Sequence, residues 1–285
     1  MKLCRYLDAY GQRRVGFLDA GDIIRDLTSA GVDQITPLLE SDTGLAELTR
    51  LARQDLPSLP LSIESLLAPV EQQEVWAAGV TYLRSKNARM EESNFSATAY
   101  DRVYDAARPE LFFKSPPQKV VAPGDPVGIR QDAHWSVPEP ELALVINSRG
   151  KVVGYTIGND MSSRDIEGEN LLYLPQAKIY HRSCALGPCI RVGVDEAEAR
   201  RWTIDLQIQR GVAVAFQGET SAGQVKRRFD ELAEFLFRCQ SFPHGAILLT
   251  GTGIVPPDNF SLQAGDTVRI TVSGIGTLEN PVVTV

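Results

Sequence analysis

A chain of 285 residues with 43% hydrophobic and 23% charged side chains is long enough to bury a sizeable core and too apolar to stay disordered. Its net charge of −7 disfavours a nucleic-acid or anionic-membrane partner, and no apolar run approaches the roughly 18 residues of a bilayer span. Four cysteines without C-x-x-C spacing and only three histidines argue against a Cys/His zinc site, so Cys4, Cys184, Cys189 and Cys239 read as buried free thiols.

Residues 1–7 show no basic segment followed by a long apolar stretch, which predicts no signal peptide and a cytoplasmic protein. Residues 14–19 are expected to form a hairpin with residues 2–7. Residues 22–29 have a helical period, with Ile23, Ile24 and Leu27 on one face and Gly31 as the C-cap. A second helix is predicted over 43–53 through Leu45, Leu48 and Leu51, and Pro57, Pro60 and Pro69 then punctuate a linker. This places a boundary near residue 70, with a small N-terminal α/β domain over 1–70 and a second domain over 71–285.

Strands dominate the second part. A buried strand is predicted at 75–80, a short one at 111–114, and a long pair at 139–147 and 152–160 around the turn Ser148-Arg149-Gly150-Lys151. Residues 82–105 are polar with little period and read as a helix, a lid or both. A hairpin of 203–210 with 212–216 follows, then an amphipathic helix over 223–238 with Val225, Phe229, Leu232 and Leu236 on one face. Strands at 246–249, 267–272 and 281–285 finish the chain. Without alternating βαβ units a doubly wound sheet is excluded, and the fold class is α+β, mainly β.

The most informative stretch is Val137-Pro138-Glu139-Pro140-Glu141-Leu142-Ala143-Leu144-Val145-Ile146. Residues two apart share a face of a strand, so Glu139 and Glu141 point the same way and Leu142, Leu144 and Ile146 the other. Pro140 offers no N–H, which makes this end of the strand edge-like or open. The strand 154–160 ends in Asp160, whose face-mates Thr156, Gly158 and Gly154 are small and leave room. Paired through the turn at 148–151, Asp160 is expected beside Glu139 and Glu141. Three such oxygens suit Mg²⁺, Mn²⁺ or Ca²⁺, and the same pattern also fits a solvated sheet edge with scattered acids. Lys178 supplies positive charge for an anionic substrate, although the residue by itself reads more readily as a surface lysine. Thr250-Gly251-Thr252-Gly253 runs into Pro256 and Pro257, so no helix starts there and a phosphate loop is excluded.

In order, the motifs Gly79-Val80-Thr81-Tyr82, Arg108-Pro109-Glu110-Leu111-Phe112-Phe113-Lys114, Glu139-Pro140-Glu141, Gly158-Asn159-Asp160, Lys178 and Thr250-Gly251-Thr252 resemble the fumarylacetoacetate hydrolase family. The similarity runs from about residue 70 to the C-terminus. The stretch from Asn159 through Asn170, then Pro175 to Tyr180 and Ser183 to Pro188, is similar to the branch that contains 2-keto-3-deoxy-D-arabinonate dehydratases. The resemblance implies a mixed β-sandwich-like roll around Mg²⁺ held by Glu139, Glu141 and Asp160, and a homodimer. It also implies that Lys178 lies near the substrate and Thr252 near the substrate carboxylate. Hydrolases of this family carry a histidine and a nearby glutamate just after the first motif, to activate water. Residues 82–92 contain no histidine here, which favours a reaction needing no hydrolytic water; His134 and His181 could reach the metal only through the fold.

The expected reaction is the dehydration of a 2-keto-3-deoxy sugar acid through a metal-stabilised enolate of the 2-oxo acid. Lys178 is the first candidate for proton transfer, Glu92 an assisting acid or base, and Tyr82, Ser85 and Arg89 contacts to the hydroxyls. The competing readings are an acylpyruvate or fumarylacetoacetate-type C–C hydrolase, a 2-oxo acid decarboxylase or isomerase on the same site, and a non-catalytic module with a closed ion.

Overall fold

The side chains of Pro140–Ile146 alternate between two apolar interiors, and this alternation organises the molecule. The computed structural model describes residues 1–20, 22–84 and 102–285. Among these, eleven strands form one sheet. Its path runs Ser58–Pro60, Ile23–Asp26, Arg13–Asp19, Lys2–Leu7, Cys184–Val192, Val152–Asp160, Pro140–Ile146, Ala246–Leu249, Glu74–Gly79 and Glu110–Ser115, and Leu66–Leu67 adds to Lys2–Leu7. All pairs are antiparallel except Ala246–Leu249 with Glu74–Gly79. A five-stranded sheet orders Ala213–Ser221, Thr203–Arg210, Asp266–Val272, Gly276–Thr284 and Val127–Ile129.

Leu142, Leu144, Ile146, Tyr155 and Ile157 pack with Ile204, Leu206, Ile208, Ile270 and Leu278 of the smaller sheet and with Phe229, Leu232 and Leu236 of the helix Phe229–Phe237. Ala143 and Val145 face the other way, into a cluster with Ile190, Ile247, Leu249 and the N-terminal Leu3, Phe17, Leu48 and Leu51. The N-terminal residues are therefore continuous with the main sheet, through Lys2↔Arg191 and Leu3↔Ile190, and cover one of its faces.

Four expectations change. Residues 22–29 do not form a helix: Ile23–Asp26 is a strand paired with Arg13–Asp19 and with Ser58–Pro60. The two isoleucines split between faces, Ile24 buried and Ile23 exposed, as β-branched residues in a strand do. Gly31 does cap, with φ 83°, but it closes only the short 3₁₀ turn Thr28–Ala30. The proline-marked linker likewise contributes the edge strand Ser58–Pro60, where a missing N–H is tolerated. The helix expected over 223–238 shortens to Phe229–Phe237, after a 3₁₀ turn at Ala222–Gln224. Arg228 is extended, and the Lys226 N–H donates to Thr81 O instead of continuing a helix. The thiols split as well: Cys4, Cys184 and Cys189 are buried, whereas Cys239 is exposed. Most of the polar segment 82–105 lies outside the described residues.

Candidate metal centre

The register of the two long strands brings the carboxylates together. Pro140 lies opposite Asn159 and Glu141 opposite Gly158, and the Asp160 N–H donates to Glu139 O at 3.0 Å. The neighbouring strand stops pairing at Leu249, where the Thr250 N–H donates to Leu142 O, so the sheet opens beside Glu139 and Glu141. Gly158 leaves room, but for the Leu249 side chain: a Cβ on Gly158 would stand 2.1 Å from Leu249 Cδ2. Glu139, Glu141 and Asp160 are all buried, and one oxygen from each lies within 4.8 Å of the others.

Each carboxylate has its own support. Lys178 is 2% exposed, which overturns its reading as a surface lysine. Its Nζ donates to Glu139 Oε2 at 2.7 Å, Asp160 Oδ2 at 3.1 Å and Ser162 Oγ at 2.5 Å. Lys114 Nζ meets Asp160 Oδ1 at 2.5 Å, and Arg164 Nη2 lies 3.1 Å from Glu139 Oε1. Glu141 is held by the backbone: the Gly251 N–H donates to its Oε2 at 2.5 Å. Burial, with the charges of Asp160 and Glu139 behind it, pushes the Glu141 carboxyl well above its ordinary range. Glu139 and Asp160 thus carry lysine partners, while the charge of Glu141 is the one a cation would neutralise. An all-oxygen donor set of this kind fits Mg²⁺, and also Mn²⁺ or Ca²⁺.

A narrow pocket opens onto these groups. Glu139, Asp160, Lys178, Thr252 and Gly251 line it together with Glu110, Phe112, Glu167, Leu174 and the turn Ala78-Gly79-Val80. Val80 has φ 52°, a left-handed conformation that is costly for a β-branched residue and is held here at the pocket wall. Thr252 is buried, and its Oγ1 accepts from the Ile254 N–H at 3.2 Å. Tyr82 is also buried, with its ring against Gly253 and its hydroxyl without a hydrogen-bond partner among the described residues. Burial raises that hydroxyl above its ordinary value, so it is a donor rather than a phenolate. Ser85, Arg89 and Glu92 lie outside the described residues. His134, His181 and His244 are all exposed, and none lines the pocket.

Sequence reasoning assigned no role to Glu110, Lys114, Arg164 or Glu167. The signals were present. Glu110 and Phe112 alternate on one face of Glu110–Ser115, where Lys114 stands at a bulge, and Arg164 and Glu167 stand three apart on the helix Arg164–Glu169. What the one-dimensional pattern lacked was the neighbour each face would meet.

Residues 74–283 match the fumarylacetoacetate (FAA) hydrolase C-terminal family. A probable 2-keto-3-deoxyxylonate dehydratase of Haloferax volcanii is 44% identical over 273 residues, covering 91% of this chain and 92% of its own. A 2-dehydro-3-deoxy-D-arabinonate dehydratase of Saccharolobus solfataricus is 41% identical over 230 residues, 80% of this chain and 77% of its own. Among solved structures, a 2-keto-3-deoxy-D-arabinonate dehydratase complexed with magnesium and 2,5-dioxopentanoate superposes with a TM-score of 0.82 at 33% identity, covering 100% of this chain and 99% of that one.

Proposed function

The chain belongs to the fumarylacetoacetate hydrolase family, and from that premise we propose that it is a Mg²⁺-dependent dehydratase of a 2-keto-3-deoxy sugar acid such as 2-keto-3-deoxy-D-arabinonate. The observation that carries this reading is the buried triad Glu139, Glu141 and Asp160 with Lys178 against it, in a pocket that no histidine lines.

In the dehydration a C3 proton is removed and the C4 hydroxyl leaves as water. The resulting unsaturated oxo acid then rearranges to 2,5-dioxopentanoate. Glu139, Glu141 and Asp160 would hold Mg²⁺, which would supply Lewis acidity toward the 2-oxo acid end of the substrate. Lys178 Nζ, at the inner wall, is the group for moving the C3 proton. The Thr252 hydroxyl orients the substrate carboxylate. Departure of the C4 hydroxyl needs a proton, and among the described residues Glu110 and Glu167 are the pocket carboxyls outside the triad that can deliver it, alongside the expected Glu92. Tyr82, Ser85 and Arg89 are the proposed contacts to the sugar hydroxyls. The division at about residue 70, a homodimer and a cytoplasmic location belong to the same proposal.

Acylpyruvate or fumarylacetoacetate-type hydrolysis is the second reading. It requires a base to activate water, and the exposure of all three histidines weighs against it. A paired assay with and without EDTA separates the two. One arm offers 2-keto-3-deoxypentonates with detection of 2,5-dioxopentanoate, and the other offers an acylpyruvate with detection of pyruvate. EDTA-sensitive turnover in the first arm alone is the expected result. Turnover in the second arm alone would replace dehydration by hydrolysis.

A further inference from the structure

Strand Glu110–Ser115 puts Glu110 and Phe112 on one face, because successive side chains alternate, and a bulge opposite Val75 and Trp76 takes Lys114 out of that register. Those two line the pocket, and the bulged Lys114 is fully buried against Asp160. A buried ammonium is stable only with partners, and Lys114 Nζ has three oxygens: Asp160 Oδ1 at 2.5 Å, Met161 O at 3.0 Å and Lys178 O. These partners belong to two different elements. Asp160, itself a proposed metal ligand, ends the strand Val152–Asp160 and Met161 follows it, and Lys178 ends the helix Leu174–Lys178.

We propose that Lys114 is a positioning residue of the metal centre, which fixes the Asp160 carboxylate and the backbone of Lys178 in one frame. An ammonium stands at each oxygen of Asp160, Lys114 paired with Oδ1 and Lys178 with Oδ2 at 3.1 Å, which opposes rotation of the carboxylate away from Glu139 and Glu141. Partners that orient a metal ligand in this way are worth about ten- to a hundredfold in metal affinity. An opposing effect exists: a cation beside the site also repels a second cation, so removing Lys114 purely as a charge would tighten Mg²⁺ binding. Orientation and charge therefore predict changes of opposite sign.

The inference rests on the triad being the metal site, and it is read without substrate, so it stands apart from the reaction assigned above. The test is calorimetric titration of Mg²⁺ into EDTA-stripped, dialysed protein, comparing the native chain with Lys114→Met, Lys114→Gln and the exposed control Lys119→Met. The Gln variant retains a donor toward the two carbonyls, and it decides the matter if the Met variant fails to fold. The expected result is Mg²⁺ binding weakened about ten- to a hundredfold in the Lys114 variants and unchanged in Lys119→Met. A merely structural lysine would lower the unfolding temperature and leave the affinity of the folded protein alone. Unchanged or tighter Mg²⁺ binding by a folded Lys114 variant would overturn the proposal. Absence of Mg²⁺ binding by the native chain would overturn it together with the metal reading, whatever the reaction.

Discussion

At the scale of single residues, the site depends on one backbone position as much as on its carboxylates. Gly251 has φ 91° and gives its N–H to Glu141. A Cβ there would stand 2.1 Å from Thr81 Oγ1 and 3.1 Å from Ala78 O, so an added methyl meets both a disfavoured conformation and a packed wall. Gly251→Ala is expected to cost about 2 kcal/mol or more, read by denaturant unfolding, and to weaken Mg²⁺ binding by displacing Glu141. Glu141 itself sets a pH dependence. Burial raises its folded pKa above the ordinary 4.5, so the folded state holds a proton that the unfolded chain has released. That stability is complete below the ordinary value and declines as pH rises through the window up to the folded value. EDTA-stripped protein should therefore lose more unfolding temperature as pH rises above the ordinary carboxyl range than Glu141→Gln does, and Mg²⁺ should restore it by replacing the proton. Equal slopes for the two proteins would remove Glu141 as the cause.

At the scale of elements, the strand Pro140–Ile146 serves two interiors and the site at once. Its apolar residues alternate between the cluster under the five-stranded sheet and the cluster under the N-terminal residues, and its first turn of pleat carries Glu141. Leu144 is fully buried among side chains of both sheets, so Leu144→Ala removes buried area and leaves a cavity that rigid strands close poorly. The expected loss is about 3 kcal/mol by chemical denaturation. Because Leu144 lies away from the open end of the strand, Mg²⁺ affinity should persist in the folded fraction. The helix Phe229–Phe237 shows how contacts override local pattern. Its apolar period was legible from Val225 onward, yet the bond from Lys226 N–H to Thr81 O takes the preceding residues out of the helix.

At the scale of the whole molecule, the N-terminal residues share the main sheet with the rest of the chain. Lys2–Leu7 adds to Cys184–Val192, and Arg5 Nη1 donates to Ala68 O at 2.9 Å, so the first strand is bound into the sheet that carries Asp160. Leu3 and Phe17 bury the face that presents Ala143, Val145, Ile247 and Leu249. Among the described residues no helix is long and apolar enough to cross a membrane. Acidic net charge coexists with a pocket whose carboxylates are met by Lys114, Lys178 and Arg164, so the charge of the chain does not describe the charge of the site.

The sequence by itself determined the strand pair that carries Glu139, Glu141 and Asp160. A period of two places residues on faces whatever the surroundings, and a four-residue turn leaves few registers for the strands it joins. Thr252 was marked by the family resemblance, since its glycine-rich turn taken alone argued only against a phosphate loop. Tertiary structure alone decided that Lys178 is buried, that Ile23 and Ile24 lie in a strand, and that Lys114 and Arg164 brace the carboxylates. Those outcomes depend on what meets each side chain from elements far away in the chain. Lys178 and Glu139 are 39 residues apart, and Lys114 and Lys178 are 64. Periodicity carries no information about contacts of that range; they arise only when the sheet closes and brings the partners within reach.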